Sequence, residues 1–417
     1  MRSVEEQQAL LARTSIDPAP VRIAITEALG LMCAEEVVAS EPLPCFPQAA
    51  IDGYAVRSGD TGEFTETREG LGAVSSEPAR SLPVVGEIPA GSQQPLRLQP
   101  KQAMRVEAGA PLPALADAVL PYDWSDRGEK RVTPLRPVAE GEFVRQIGDD
   151  IAPGDVAVRQ GTVLGPAQIG LLASVGRDKV LVYPRPRMSV ISYGHELVDI
   201  DRHPGHGQVF DVDSYALAAA GRDAGADVHR VGIAVGEPRK LRDIIESQLM
   251  RSEMLVIAGG VGGHASELLR EVLAEFGPVD VARVAMHPGS IIGICLADGK
   301  PIFLLPSNPV GSLALFEVFI RPLIRRSMGK PDRRVVKARA LNRIESRPGR
   351  RGYVRGSLMR DAQTFDYLVE GLSGATGAPA HLLAGLGEAN AMIRIPEDVE
   401  LIRPGDVVDV IFLSSRN

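Results

Sequence analysis

The sequence predicts a multidomain protein of mixed α/β and β class, in which a parallel α/β sheet domain is joined to small β domains. Three observations carry this. Strand-like and helix-like stretches alternate with short turns over residues 177–329, the pattern of a parallel sheet covered on both faces. Over 46–139 and 330–417, short apolar runs are punctuated by Pro and Gly with no long helical period. A chain of 417 residues that is 44% apolar can fill two to four separate cores.

From the amino terminus, SVEE sets Ser3 and Glu6 at capping-box spacing ahead of QQALLA, which predicts a helix. TEAL predicts a second short helix closed by Gly30. Residues 1–45 together with 140–176 form a linker domain. Its second part, IAPGDVAVRQGTVLGPAQIGLLASVG, gives short strands and one helix, with Pro166 near the start and Gly176 just past the end. Residues 46–139, with LPVVGEI and ADAVLPY, form a small β domain. Within 177–329 the order is MSVISYG (strand), DSYALAAAGRDAGA (helix), HRVGIAV (strand), PRKLRDIIESQLM (helix), MLVIAGG (strand) and SELLREVLAEFG (helix). Strand-like VARVAM, IIGICLA and PIFLLP follow, and one long helix, VGSLALFEVFIRPLIRRSMG, closes the block. Residues 330–417, with VVKARAL, YVRGSLM, DYLVEGL and VVDVIFL, form a β-barrel or sandwich.

Composition excludes several functions. No run of about 18 uncharged apolar residues exists, so no transmembrane helix is expected. MRSVEEQQALLA lacks the basic and apolar regions of a signal peptide. Cys33, Cys45 and Cys295 are few and odd in number, as expected of thiols in a reducing cytosol, so the protein is expected to be cytoplasmic. A net charge of −7 gives no footprint for nucleic acid, and the basic stretch 347–360 reads as solvated surface. Aromatics at 4% are too scarce for base-stacking platforms.

Ligands of open α/β sheets gather beyond the carboxyl ends of the strands. Three such ends are unusual. ISYGHEL sets His195 beside Glu196. IAGGVGGHAS places Gly259, Gly260, Gly262 and Gly263 in a turn feeding a helix, where backbone amides could cradle an anion. LLPSNPVGS fixes a rigid turn with Pro306, Asn308 and Pro309. Neither GxxxxGK[ST] nor GxGxxG occurs, which excludes Walker and Rossmann sites, and a glycine-rich turn can equally be a packing solution.

Together these turns resemble the MoeA family, which corresponds to the E domain of gephyrin. PQAAIDGYAVR is similar to the family's S-A-M-D-G-Y-A-V signature, and PAG (residues 89–91), EAGAPLP (107–113) and VRQIGDDIAPGD (144–155) match further segments in order along the chain. The resemblance implies an elongated homodimer of four-part subunits. The cleft lies between the α/β domain of one subunit and the DGYAV domain of the other. There, adenylylated molybdopterin and molybdate meet with Mg2+, the metal is inserted and AMP leaves. It implies that Asp52, Glu196 and Asp150 are catalytic acids, with Asp52 and Glu196 also on the metal, because a hard cation takes oxygen ligands. It further implies that Gly259, Gly260, Gly262, Pro306, Asn308 and Pro309 line the nucleotide and pterin pocket.

The chain departs from the family pattern at five places. T-G-D-E reads Tyr193, Gly194, His195, Glu196; the threonine of M-T-G-A-P is Ala108; the serine of G-G-V-S-x-G is Gly262, with Glu267 as the nearest following acid. K-P-G-K reads His287, Pro288, Gly289, Ser290, and Q-G-S reads Ser373, Gly374, Ala375. Two lost lysines would cost roughly 3–6 kcal/mol of oxyanion binding. Weakened or lost catalysis is therefore expected, possession of no cofactor being the extreme case. His195, His264 and His287 converging on a softer metal is an alternative. So is a non-enzymatic scaffold whose C-terminal domain holds a short peptide of a membrane receptor or of the tubulin-like division protein FtsZ, by analogy with gephyrin. A third alternative is a cleft for some other phosphorylated small molecule.

Overall fold

The fold is that of a computed structural model, which describes residues 1–62, 80–94, 96–262, 265–372 and 387–413. At its centre is a six-stranded sheet in the order Asp227–Ala234, Arg187–Tyr193, Met254–Ala258, Lys300–Leu305, Ile291–Ala297, Val279–Arg283. The first four strands are parallel. The last two join antiparallel, so the sheet is parallel only in part. The cause is local. Asp298 and Gly299 both have positive φ (48° and 82°), the conformation of a two-residue hairpin, so the chain folds straight back instead of crossing over through a helix.

Alternation along each strand divides the core between the two faces of the sheet. Met188, Val190, Val256 and Phe303 pack with Leu217 and Phe316 on one face. Ile191, Leu255, Ile257 and Leu304 pack with Leu241, Ile245 and Leu269 on the other. The long closing helix is interrupted. Pro309–Leu315 passes through a π-helical turn, Phe316–Ile320, into Arg321–Ser327. Pro322 explains the break: its ring clashes with the carbonyl four residues back and it has no N–H to give, and a widened turn relieves both.

The helix Val4–Leu11 has both halves of its capping box: Glu6 N–H donates to Ser3 Oγ at 3.0 Å and Ser3 N–H to the Glu6 carboxylate at 2.7 Å. Val4 and Leu11 are buried in the α/β core, so this helix packs there and not in the linker unit. TEAL makes only the 3-10 turn Ile25–Glu27, because the chain must return from Val21–Ala24 to Met32–Cys33 within a few residues, through Gly30 at φ 77°. Those two strands flank Lys179–Tyr183, which moves the linker boundary from 176 to Tyr183. The helix Pro166–Ser174 stands where Pro166 and Gly176 place it.

The 46–139 region forms a five-stranded sheet around Gly53–Val56. The last region is a closed barrel: Arg351–Arg360, Tyr367–Gly371, Val335–Ala340, Val407–Phe412 and Ala391–Ile395 pair in turn and back to the first. Closure decides between barrel and sandwich, and Ala391–Ile395 is a strand the sequence reading passed over. Among the described residues no helix is long and apolar enough to cross a membrane.

Candidate functional site

Asp227–Ala234, the next strand of this sheet in chain order, lies on one side of Arg187–Tyr193, and the one after it, Met254–Ala258, on the other. This reversal opens a crevice at the carboxyl ends. The three unusual turns meet there. Gly259 has φ 86°, and any Cβ on it would overlap the carbonyl oxygen of Tyr193, so only glycine fits. The N–H groups of Gly259 and Gly260 donate to Leu305 O at 2.9 and 3.0 Å. These two amides therefore tie the second turn to the third and are not available to an anion, which corrects the cradle expected of them. Gly262, also at φ 86°, is exposed beyond them.

Asn308 caps the helix that begins at Pro309, accepting from the N–H groups of Val310 and Gly311 at 3.1 and 3.2 Å. Ser312 Oγ donates to Pro306 O at 2.6 Å and fixes the turn from below. Gly289 packs so closely on this helix that a Cβ would come within 2.8 Å of Gly311 O. The 287–290 loop and the 306–309 turn thus form one wall.

Glu196 and His195 are exposed at the end of the Arg187–Tyr193 strand, with the His195 ring edge-on to Tyr193 at 6.4 Å between centroids. Asp52 is exposed, and its Oδ1 accepts the Ala108 N–H at 2.8 Å. Nearby, Glu107 accepts the Ala90 N–H at 3.0 Å, so the DGYAV, PAG and EAGAPLP segments lie together. Gln48–Ala49 pairs with Val144–Arg145, drawing the segment of the exposed Asp150 to the same region. No hydrogen bond or ion pair in the described residues links Asp52 or Asp150 to Glu196. An all-oxygen donor set has the right chemistry for Mg2+. Among the described residues no three His, Cys, Asp or Glu side chains of one chain gather to hold a metal. His264, Ser373, Gly374 and Ala375 lie outside the described residues.

The charge near the 287–290 loop comes from elsewhere in the chain. Met286–His287 pairs with Arg351 and Gly352 at the start of the barrel strand Arg351–Arg360. Burial, and then the charges of Arg347 and Arg350, hold the His287 imidazole below its ordinary pKa, so it is neutral at pH 7. Arg347 lies on the surface, as the basic stretch was read, and both guanidinium groups are near enough for their charge to act on His287. The sequence does hold the arginines, but no local pattern in it states that residue 287 pairs with residue 352. A polar network behind Glu196, built on Ser192, Asp199, Asp211, Tyr215 and Arg230, was missed as well.

An α/β domain whose strand reversal opens a crevice at the carboxyl ends, with a β-barrel paired to its 286–287 strand, has the architecture of a ligand-binding α/β domain joined to β modules. The chain belongs to the MoeA family of molybdopterin molybdenumtransferases. Residues 2–176 match the MoeA N-terminal region (domain I and II), 189–326 the probable molybdopterin binding domain, and 337–413 the MoeA C-terminal region (domain IV). The chain is 57% identical to molybdopterin molybdenumtransferase 1 of Mycobacterium tuberculosis across 100% of both chains, and 35% identical to molybdopterin molybdenumtransferase 2 of the same organism across 98% of this chain and 99% of that one. Its fold matches the molybdopterin biosynthesis MoeA protein of Pyrococcus horikoshii with a TM-score of 0.80 at 29% identity, covering 99% of each.

Proposed function

We propose that this chain is a molybdopterin molybdenumtransferase: it binds adenylylated molybdopterin and molybdate in the crevice at the carboxyl ends of the sheet, inserts the metal with the help of Mg2+, and releases AMP. The observation that carries this is the meeting of three rigid turns at the strand reversal with Arg347 and Arg350 beside them. Guanidinium groups suit the oxyanions of molybdate and phosphate. The name borne by the 57% identical relative agrees with it.

The working unit in this proposal is a cytosolic homodimer. Asp52 and Glu196 are each exposed and stand on different domains, as a cleft completed by a second copy would require. Their carboxylates would hold Mg2+ across that cleft. Because two arginines stand near the places of the absent lysines, we take the site to be active and not degraded.

The test is AMP release from adenylylated molybdopterin by the purified chain with molybdate and Mg2+, run beside the Mycobacterium tuberculosis relative. A comparable rate supports the proposal. A rate lower by two decades or more restores the weakened site. Folded protein that releases no AMP refutes the enzyme, and leaves the peptide-holding scaffold, with a receptor tail or FtsZ tail at the barrel, to be tested by calorimetry with such peptides.

A further inference from the structure

We propose that Asp211 is a positioning residue for Glu196, acting through a clamp centred on Arg230; this rests on the crevice being the catalytic one. Glu196 opens a loop whose two arms, Leu197–Val198 and Val209–Phe210, pair in parallel. Glu196 O accepts the Val209 N–H at 2.9 Å and Val198 O the Asp211 N–H at 2.8 Å. Two residues form so short a ladder that it has little stability of its own. Something else must hold it.

Each arm ends on a carboxylate, and both carboxylates reach the same cation. Asp199, following the first arm, accepts from Arg230 at 3.2 Å and from the Tyr215 hydroxyl at 2.7 Å. Asp211, following the second, lies 3.7 Å from Arg230 with its side chain fully buried. Asp211 Oδ1 also accepts from Ser192 Oγ at 2.6 Å and from Ser214 N–H at 3.1 Å, while Ser214 Oγ donates to Oδ2. Ser192 belongs to the very strand that ends at Tyr193, just before Gly194. The clamp thus closes a ring: strand end, Glu196 turn, both loop arms, and back to the strand. The Arg230 guanidinium is itself stacked 3.9 Å from the Tyr215 ring centroid. A charge-assisted network anchored on a buried carboxylate fixes geometry because none of its members can move without stranding another.

The experiment uses the full chain and a double-mutant cycle. Asp211→Asn, and the milder Tyr215→Phe should the first fail to fold, are made alone and with Glu196→Ala. In the otherwise native chain either variant should lower kcat about tenfold or more with KM within about threefold, an effect that must vanish in the Glu196→Ala background. An equal loss in both backgrounds would mean a general structural role and overturn the proposal. If the native chain releases no AMP, the transferase reading fails separately. Hydrogen exchange of the Val209 and Asp211 amides then decides: at least about tenfold faster exchange in the variants supports the clamp, and unchanged exchange refutes it.

Discussion

Asp213 begins the helix Asp213–Ala224 immediately behind this network, and replacing it with asparagine should change how the protein responds to pH. The side chain is only 8% exposed, its Oδ1 meets no hydrogen-bond donor, and among the described residues no cation pairs with it. Arg230 is already shared by Asp199 and Asp211. Burial first, and the charge of Asp211 second, push the Asp213 carboxyl up from 3.8 to about 7. The folded state therefore binds this proton more tightly than the unfolded chain. Its stabilising effect is full below about pH 4, declines as pH rises through the interval, and is gone above about pH 7. A shift of about three units corresponds to about 4 kcal/mol in total, of which about 2–3 kcal/mol is lost between pH 5 and pH 8. Asp213→Asn keeps the shape and cannot ionise. Whatever constant offset the amide introduces, the stability of the variant relative to the native chain should grow by that amount across the interval, roughly 5–10 °C in Tm. Thermal melts of both proteins in matched buffers measure it. A value of variant Tm minus native Tm that stays constant or falls as pH rises would refute the reasoning.

Three further outcomes follow from the same geometry. Asp52→Asn keeps the acceptor for the Ala108 N–H but removes the charge, so AMP release should fall roughly 10–100-fold with Tm almost unchanged. Replacing Arg347 and Arg350 with alanine should move the His287 titration, followed by NMR, upward toward its ordinary value, and each arginine lost should weaken molybdate binding about tenfold or more in calorimetry. Gly259→Ala should destabilise by several times the ~1–2 kcal/mol expected of Gly262→Ala in a thermal melt, since both are left-handed but only Gly259 faces the Tyr193 carbonyl.

How much of the fold could be read in advance depended on whether the signal was local. Ser3 with Glu6, and Pro166 with Gly176, marked helix ends correctly because capping is settled within a few residues. The alternation over 187–258 located parallel strands for the same reason. The two misreadings in the α/β domain also had local signals that were overlooked. Asp298–Gly299 announces a hairpin, and Pro322 forbids an unbroken helix. The barrel was different. Its closure by Ala391–Ile395 depends on pairing with Arg351–Arg360, roughly forty residues away in the chain, and propensity alone could not supply that register.

The candidate site was legible wherever a turn has to be rigid, because glycine and proline leave little choice of conformation. It was illegible wherever function depends on charge delivered from a distance. Counting residues at motif positions subtracts two cations at His287 and Ser290 and so argues for lost catalysis. Counting charge by place in the fold gives a different sum. The 286–287 strand adds to the barrel at Arg351 and Gly352, which sets Arg347 and Arg350 close enough to lower the His287 pKa. A protonated histidine would have added positive charge only in acid, whereas arginine keeps its charge at every physiological pH. A neutral imidazole beside two permanent cations is therefore a poorer copy of two lysines by sequence than by electrostatics. Substitution at a motif position argues for lost function only after the space around that position has been searched for a replacement, and the charges that act on His287 here come from some sixty residues further along the chain.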